Sequence, residues 1–137
     1  PYKLSPADDV LQKVGVLALL DNQYQLLDAP DEPQVLQALD KLEPPQQLLV
    51  KRQSETGHEY LLASYDVQLS MTGASAVQYL PLQGVNHQAT MAEVFAILED
   101  KREGAVYVFR EQDPAQLIGI IRWDQVRSLL VKQNNLL

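Results

Sequence analysis

Asp31-Glu32-Pro33-Gln34-Val35-Leu36-Gln37-Ala38-Leu39 and Thr90-Met91-Ala92-Glu93-Val94-Phe95-Ala96-Ile97-Leu98 carry the same instruction twice. Each begins with a side chain able to accept a hydrogen bond from the free N–H groups of a helix start. Three residues on, Gln34 or Glu93 is placed to reach back to the cap, the reciprocal capping-box pattern. The apolar run from Val35 then falls on the run from Val94, a separation of 94 − 35 = 59 residues. Two helix starts are thereby in register.

Outward from the helices, the same offset places Gln47-Leu48-Leu49-Val50-Lys51 on Val106-Tyr107-Val108-Phe109-Arg110, and Leu61-Leu62 on Ile120-Ile121. These short apolar runs read as strands. The polar connections Gln53-Ser54-Glu55-Thr56-Gly57 and Glu111-Gln112-Asp113-Pro114 hold turn residues and read as hairpin loops. Asp66-Val67 falls on Gln125-Val126, opening a second short helix in each copy. Each copy thus reads strand, helix, strand, strand, helix, ungapped from about Asp31 to Met71. One copy alone buries too little apolar surface to offset chain entropy, so the two are expected to fold together. Upstream, Ser5-Pro6-Ala7-Asp8 has the residues of a helix start, with Val10, Leu11 and Val14 on one face. The expected division is a linker helix over 1–15, a first repeat over 16–71, a connector over 72–78 and a second repeat over 79–137.

Composition narrows the function classes. Eleven Lys and Arg against eighteen Asp and Glu leave a net charge of −7, and the densest basic clusters are the pairs Lys51-Arg52 and Lys101-Arg102. A nucleic-acid partner needs a far stronger positive surface. The chain has no cysteine, which excludes disulfides and thiolate metal sites. No apolar run approaches the ~20 residues of a membrane span. The chain opens at Pro1 and is expected to be part of a larger protein.

The second copy, read as Thr90-Met91-Ala92-Glu93-Val94, Gly104-Ala105-Val106-Tyr107-Val108 and Leu117-Ile118-Gly119-Ile120-Ile121-Arg122-Trp123-Asp124-Gln125-Val126, resembles a cystathionine-beta-synthase (CBS) motif. The first copy resembles it more loosely, with Tyr60 falling on the glycine. The resemblance implies an α/β (α+β) fold of two β-α-β-β-α repeats related by a pseudo-twofold axis, with a short N-terminal helix. It also implies a regulatory, non-catalytic module that often dimerises.

In some members of that family a cleft between repeats binds adenosine nucleotides through a hydroxyl residue three positions after the glycine and an acidic residue six after it. Here the resemblance puts Arg122 and Gln125 at those positions in the second copy, and Ala63 and Asp66 in the first. Asp66, Arg122 and Gln125 are therefore the candidate nucleotide-cleft residues. With one family group of four retained, no cofactor is expected beyond a weakly held adenosine nucleotide. Arg122 could grip a phosphate with two hydrogen bonds, but its expected role is to neutralise an acidic neighbour such as Asp66 or Asp124 and so occlude the cleft.

Other chemistry finds little support. His58 and His87 are the only histidines, and neither belongs to a metal-ligand pattern. Ser64, His58 and Asp66 invite comparison with a hydrolase triad, yet six residues of extended strand put about 20 Å between His58 and Ser64. Asp66 is expected to cap the following helix. Trp123 and Tyr65 are expected in core or interface packing.

Gly15-Val16-Leu17-Ala18-Leu19-Leu20 through Tyr24-Gln25-Leu26-Leu27, with Leu61-Leu62-Ala63-Ser64-Tyr65-Asp66, resembles the cytoplasmic tail of bacterial ClC-type chloride channels and transporters. That host implies a module on the cytoplasmic side of the inner membrane, partnered by the transmembrane part of its parent and by a second copy of itself. Leu129 and Leu130 are the residues expected to support self-association. The alternative is a nucleotide-sensing CBS pair from a magnesium transporter, a hemolysin-like membrane protein or a soluble metabolic enzyme.

Overall fold

The computed structural model describes residues 6–55, 57–66, 77–110 and 116–135. In chain order the elements are α1 (Pro6–Lys13), a 3-10 turn (Val16–Leu19), β1 (Tyr24–Asp28), α2 (Glu32–Lys41), β2 (Gln47–Ser54), β3 (Gly57–Tyr65), β4 (Val77–Pro81), β5 (Gln83–Asn86), α3 (Met91–Leu98), β6 (Ala105–Phe109), β7 (Leu117–Arg122) and α4 (Trp123–Asn135). They form two compact units, one of residues 23–82 and one assembled from residues 1–22 and 83–137. The second helix expected after Asp66 and most of the expected connector lie outside the described residues.

The contiguous unit is a four-stranded sheet in the order β1-β2-β3-β4. β1 and β2 run parallel, as a helical crossover requires, and the other pairs are antiparallel. Helix α2 starts as its sequence dictates: the Gln34 N–H donates to Asp31 Oδ1, and the Asp31 N–H donates to Gln34 Oε1, both at 2.9 Å. Its inward face, Val35, Ala38 and Leu39, meets Leu48, Val50, Leu61 and Ala63 in one core. The β2–β3 hairpin closes where Ser54 Oγ donates to the Gly57 carbonyl, and Gly57 adopts φ 129°, a conformation that excludes most side chains. Val77–Pro81, which the sequence divided between connector and second repeat, is the fourth strand of this sheet.

The composite unit repeats the plan with three strands, β5-β6-β7, again parallel then antiparallel. Helix α3 begins with the second capping box, Thr90 with Glu93. Met91, Val94 and Leu98 meet Val106, Val108, Ile121 and Val126 in its core, and Leu11 of α1 and Val16 of the 3-10 turn are buried with them. The N-terminal segment, read from the sequence as a linker and the opening of the first repeat, is thus part of this unit's core.

The helices keep the offset of 59, with Val35 and Val94 both fully buried. The strands do not. Leu48 pairs with Ala63 and Val106 with Ile121, all four facing a helix-covered core, and these equivalences lie 106 − 48 = 58 and 121 − 63 = 58 apart. The composite unit has one more residue ahead of its helix, from Leu27 to Val35 (35 − 27 = 8) against Val85 to Val94 (94 − 85 = 9), and one fewer behind it. A one-residue slip turns every strand side chain to the opposite face. The expected pairing of Leu61-Leu62 with Ile120-Ile121 is corrected accordingly: Leu61 matches Gly119, and Ala63 matches Ile121.

Candidate functional site

The corrected register changes the candidate residues. Ser64, not Ala63, occupies the strand position of Arg122, and two residues on Asp66 matches Asp124 rather than Gln125. Asp66 belongs to the contiguous unit, Arg122 and Gln125 to the composite one. Arg122 and Gln125 stand together at the start of α4, where strand β7 passes directly into the helix.

Gln125 has a structural task at both ends of its amide. Its Oε1 accepts the Arg122 backbone N–H at 2.9 Å, the same three-residue reach-back made by Gln34 and Glu93. Its Nε2 donates to the Leu19 carbonyl at 2.6 Å, tying the helix start to the end of the 3-10 turn. A side chain so engaged is a positioning element of the fold.

The Arg122 guanidinium meets two carboxylates. Nη2 lies 3.2 Å from Asp21 Oδ2, and Nε lies 3.4 Å from Asp124 Oδ1 without hydrogen-bond geometry. The Asp21 side chain is 11% exposed and that of Asp124 is 70% exposed, so Asp21 is the partner that counts. Pairing weakens as solvent access grows. The neutralisation expected of Arg122 is therefore present, with Asp21 as a partner the sequence did not disclose.

Asp21 reaches this place on the backbone. Its N–H donates to the Ile120 carbonyl and its carbonyl accepts the Ile120 N–H, each at 2.9 Å, on the open edge of β7. The approach requires a glycine beside it. A Cβ on Gly119 would come within 2.4 Å of Leu20 Cγ and 3.1 Å of the Asp21 carbonyl oxygen. Leu20 lies where a residue-119 side chain would have been.

Beside these residues is a groove of about 240 Å³ lined by Leu19, Arg122, Asp124, Gln125, Ser128, Leu129 and Lys132. Positions 125, 128, 129 and 132 recur with helical spacing, one face of α4. The volume falls below the ~300–1,000 Å³ of typical small-molecule sites. Trp123 stacks on Phe95 with ring centroids 6.0 Å apart and packs against the composite core, as expected of a packing residue. His58 is exposed near the start of β3, six residues along the same strand from Ser64. Among the described residues no cluster of His, Asp and Glu forms a metal-ligand set, and no helix is long and apolar enough to cross a membrane.

No family model matches the chain, and no curated protein matches it. Solved structures do. The CBS domain of the bacterial CNNM/CorC family Mg2+ transporter superposes with a TM-score of 0.60 at 14% identity, covering 93% of this chain and 86% of that one. The same domain in complex with an inhibitor gives 0.61 at 15% identity, with the same coverage. The chain has a CBS-domain fold. The fold class read from the repeat is thus established, a mixed α and β structure with two small sheets, while identity this low carries fold alone. Within that CBS fold, the turn from β7 into α4 is a place where side chains of the chain hold one another.

Proposed function

We propose that this chain is a regulatory and assembly module of a membrane ion transporter, acting through its conformation on a covalently attached partner. The observation that carries the reading is the engagement of Arg122 and Gln125 with Asp21 and Leu19 inside a CBS fold, which ties the N-terminal approach of the chain to the cleft residues. Such an arrangement can transmit position. The Gly15–Leu20 and Tyr24–Leu27 stretches favour a ClC-type host on the cytoplasmic face of the membrane. A magnesium-transporter host is the second reading, favoured by the two solved CBS domains that the chain resembles.

Flux through the parent protein in proteoliposomes, with and without residues 1–137, separates the hosts. Removal is expected to change chloride flux under the first reading and magnesium flux under the second. Unchanged flux of both ions would remove the regulatory reading. Self-association belongs to the same proposal: Leu129 and Leu130 pack partly against the core, and Val131 and Leu17 stand 47% and 53% exposed. Sedimentation of the isolated chain is expected to show a dimer. Because Arg122 and Gln125 are engaged internally, micromolar ATP is expected to give no saturable heat in titration calorimetry. A one-site isotherm abolished by Asp66→Ala would contradict this.

A further inference from the structure

We propose that the free edge of β1 docks a second copy of this chain, joining two contiguous units through antiparallel β1 strands centred on Leu26. β1 ends the sheet order β1-β2-β3-β4, and among the described residues no strand or isolated bridge pairs with its outer side. Two bonds at its ends fix the direction of its backbone groups: the Gln23 carbonyl accepts the Gln47 N–H, and the Ala29 N–H donates to the Lys51 carbonyl. Odd-numbered residues therefore face β2. Alternation along the strand leaves Tyr24, Leu26 and Asp28 with their N–H and carbonyl groups pointing outward.

These three residues are self-complementary about Leu26. Antiparallel pairing with Leu26 opposite its own counterpart sets Tyr24 opposite Asp28 at both ends, and every outward donor then meets an outward acceptor. Leu26, 41% exposed, meets the same side chain of the second copy and buries surface that each leaves in water. Each Asp28 carboxylate faces a tyrosine, so no like charges stand opposite one another. A twofold contact requires a self-complementary patch of this kind, whereas an unrelated extended peptide would match only the backbone. The strand also carries no lysine or proline and no break in register, the features that ordinarily blunt an exposed edge.

The other edges differ. β4 ends in Pro81, and the edge of β7 is taken by Asp21. β5, the counterpart of β1, has four residues against five, and Gly84 stands opposite Tyr107 where Leu26 stands opposite Leu49. A Cβ on Gly84 would come within 2.5 Å of the Tyr107 ring, so this edge has no side chain to offer across a twofold axis. A strand pair as short as β1 with β1 falls below the ~1,200 Å² of a standard interface, which makes it weak between free chains and stronger between chains held close together. The proposal goes beyond the α4 surface named above and rests on the regulatory reading only for that closeness. The flux comparison does not test this edge.

Amide hydrogen exchange on the whole chain reads the register. Between about 10 µM and about 1 mM chain, exchange at Leu26 is expected to slow about tenfold, with Tyr24 and Asp28 following, while Gln25 and Leu27 keep their rates. The chain has no cysteine, so Leu26→Cys and Asp28→Cys each carry a single thiol. Across the twofold axis two residues at position 26 lie within disulfide reach, whereas two at position 28 are about 14 Å apart. Under mild oxidation Leu26→Cys is expected to cross-link at least about tenfold faster than Asp28→Cys, and Asp28→Cys mixed with Tyr24→Cys faster than either alone. Adding Val131→Lys to Leu26→Cys should leave its cross-linking unchanged. Exchange at Leu26 that does not depend on concentration would overturn the proposal. So would equal cross-linking of Leu26→Cys and Asp28→Cys, or its loss with Val131→Lys, which would return association to α4.

Discussion

Leu61 in the contiguous unit and Gly119 in the composite unit hold the same strand position, and the two units fill the space above it in different ways. Leu61 supplies its own side chain and is fully buried. Gly119 supplies none, and Leu20, just after the 3-10 turn, occupies the place. One unit closes its core from within a single run of chain, whereas the other borrows a side chain from a distant segment. A repeat can therefore keep its architecture while changing which part of the sequence completes it. The buried apolar volume is what the fold demands, and its source is negotiable.

The largest effect expected from this difference is at Leu61. Leu61→Ala removes a fully buried side chain with no neighbour placed to replace it, and should cost about 2–5 kcal/mol in denaturant unfolding. A loss under about 1 kcal/mol would mean that the contiguous core also borrows. Next comes Gly119→Ala, where the added methyl meets Leu20 and the Asp21 carbonyl; overpacking of this kind costs about 1–3 kcal/mol. In a Leu20→Ala background the same substitution should cost measurably less, because the side chain it strikes is gone. Additive costs in that cycle would separate Gly119 from Leu20 and dissolve the comparison.

The caps should behave alike in both units. Asp31→Ala and Thr90→Ala each break a reciprocal box at the start of a core helix, and each should cost about 1 kcal/mol. A clear inequality would show that the borrowed segment also braces α3. The smallest effect is spectroscopic. The Tyr65 hydroxyl donates to Asp40, and this hydrogen bond, more than desolvation or the nearby negative charge, holds its pKa above the ordinary tyrosine value. Ultraviolet titration should find several tyrosines ionising late, Tyr65 among them with Tyr24, Tyr79 and Tyr107, and in Asp40→Asn only the Tyr65 component should move back toward the ordinary value. If the titration is the same in both chains, the bond does not persist in solution.

Local chemistry made the helices legible. A capping box is complete within four residues, so Asp31 with Gln34 and Thr90 with Glu93 could be read directly and were found as expected. Arg122 to Gln125 has the same three-residue spacing and carries half of the same local signal, the reach-back of the third side chain to the backbone N–H, without a side-chain acceptor at the first position. Strand register was hidden because one residue gained before a helix and one lost after it leave both flanking patterns apolar. Leu49 and Tyr107 are as buried as their neighbours, so hydrophobicity gave no sign of the slip. The partnership of Asp21 with Arg122 had no local signal at all, since nothing near Asp21 in the sequence distinguishes it from any exposed carboxylate.

The backbone pair between Asp21 and Ile120 also dictates an order of events during synthesis. Residues 23–82 can close their contacts as soon as that stretch has left the ribosome. The segment before them must wait for a partner 120 − 21 = 99 residues further along. Contacts of such long sequence separation form late, after the entropy of a large loop has been overcome. Until then Leu11, Val16 and Leu20 have no core to enter, and the N-terminal end of the nascent chain presents them to water and to any chaperone within reach.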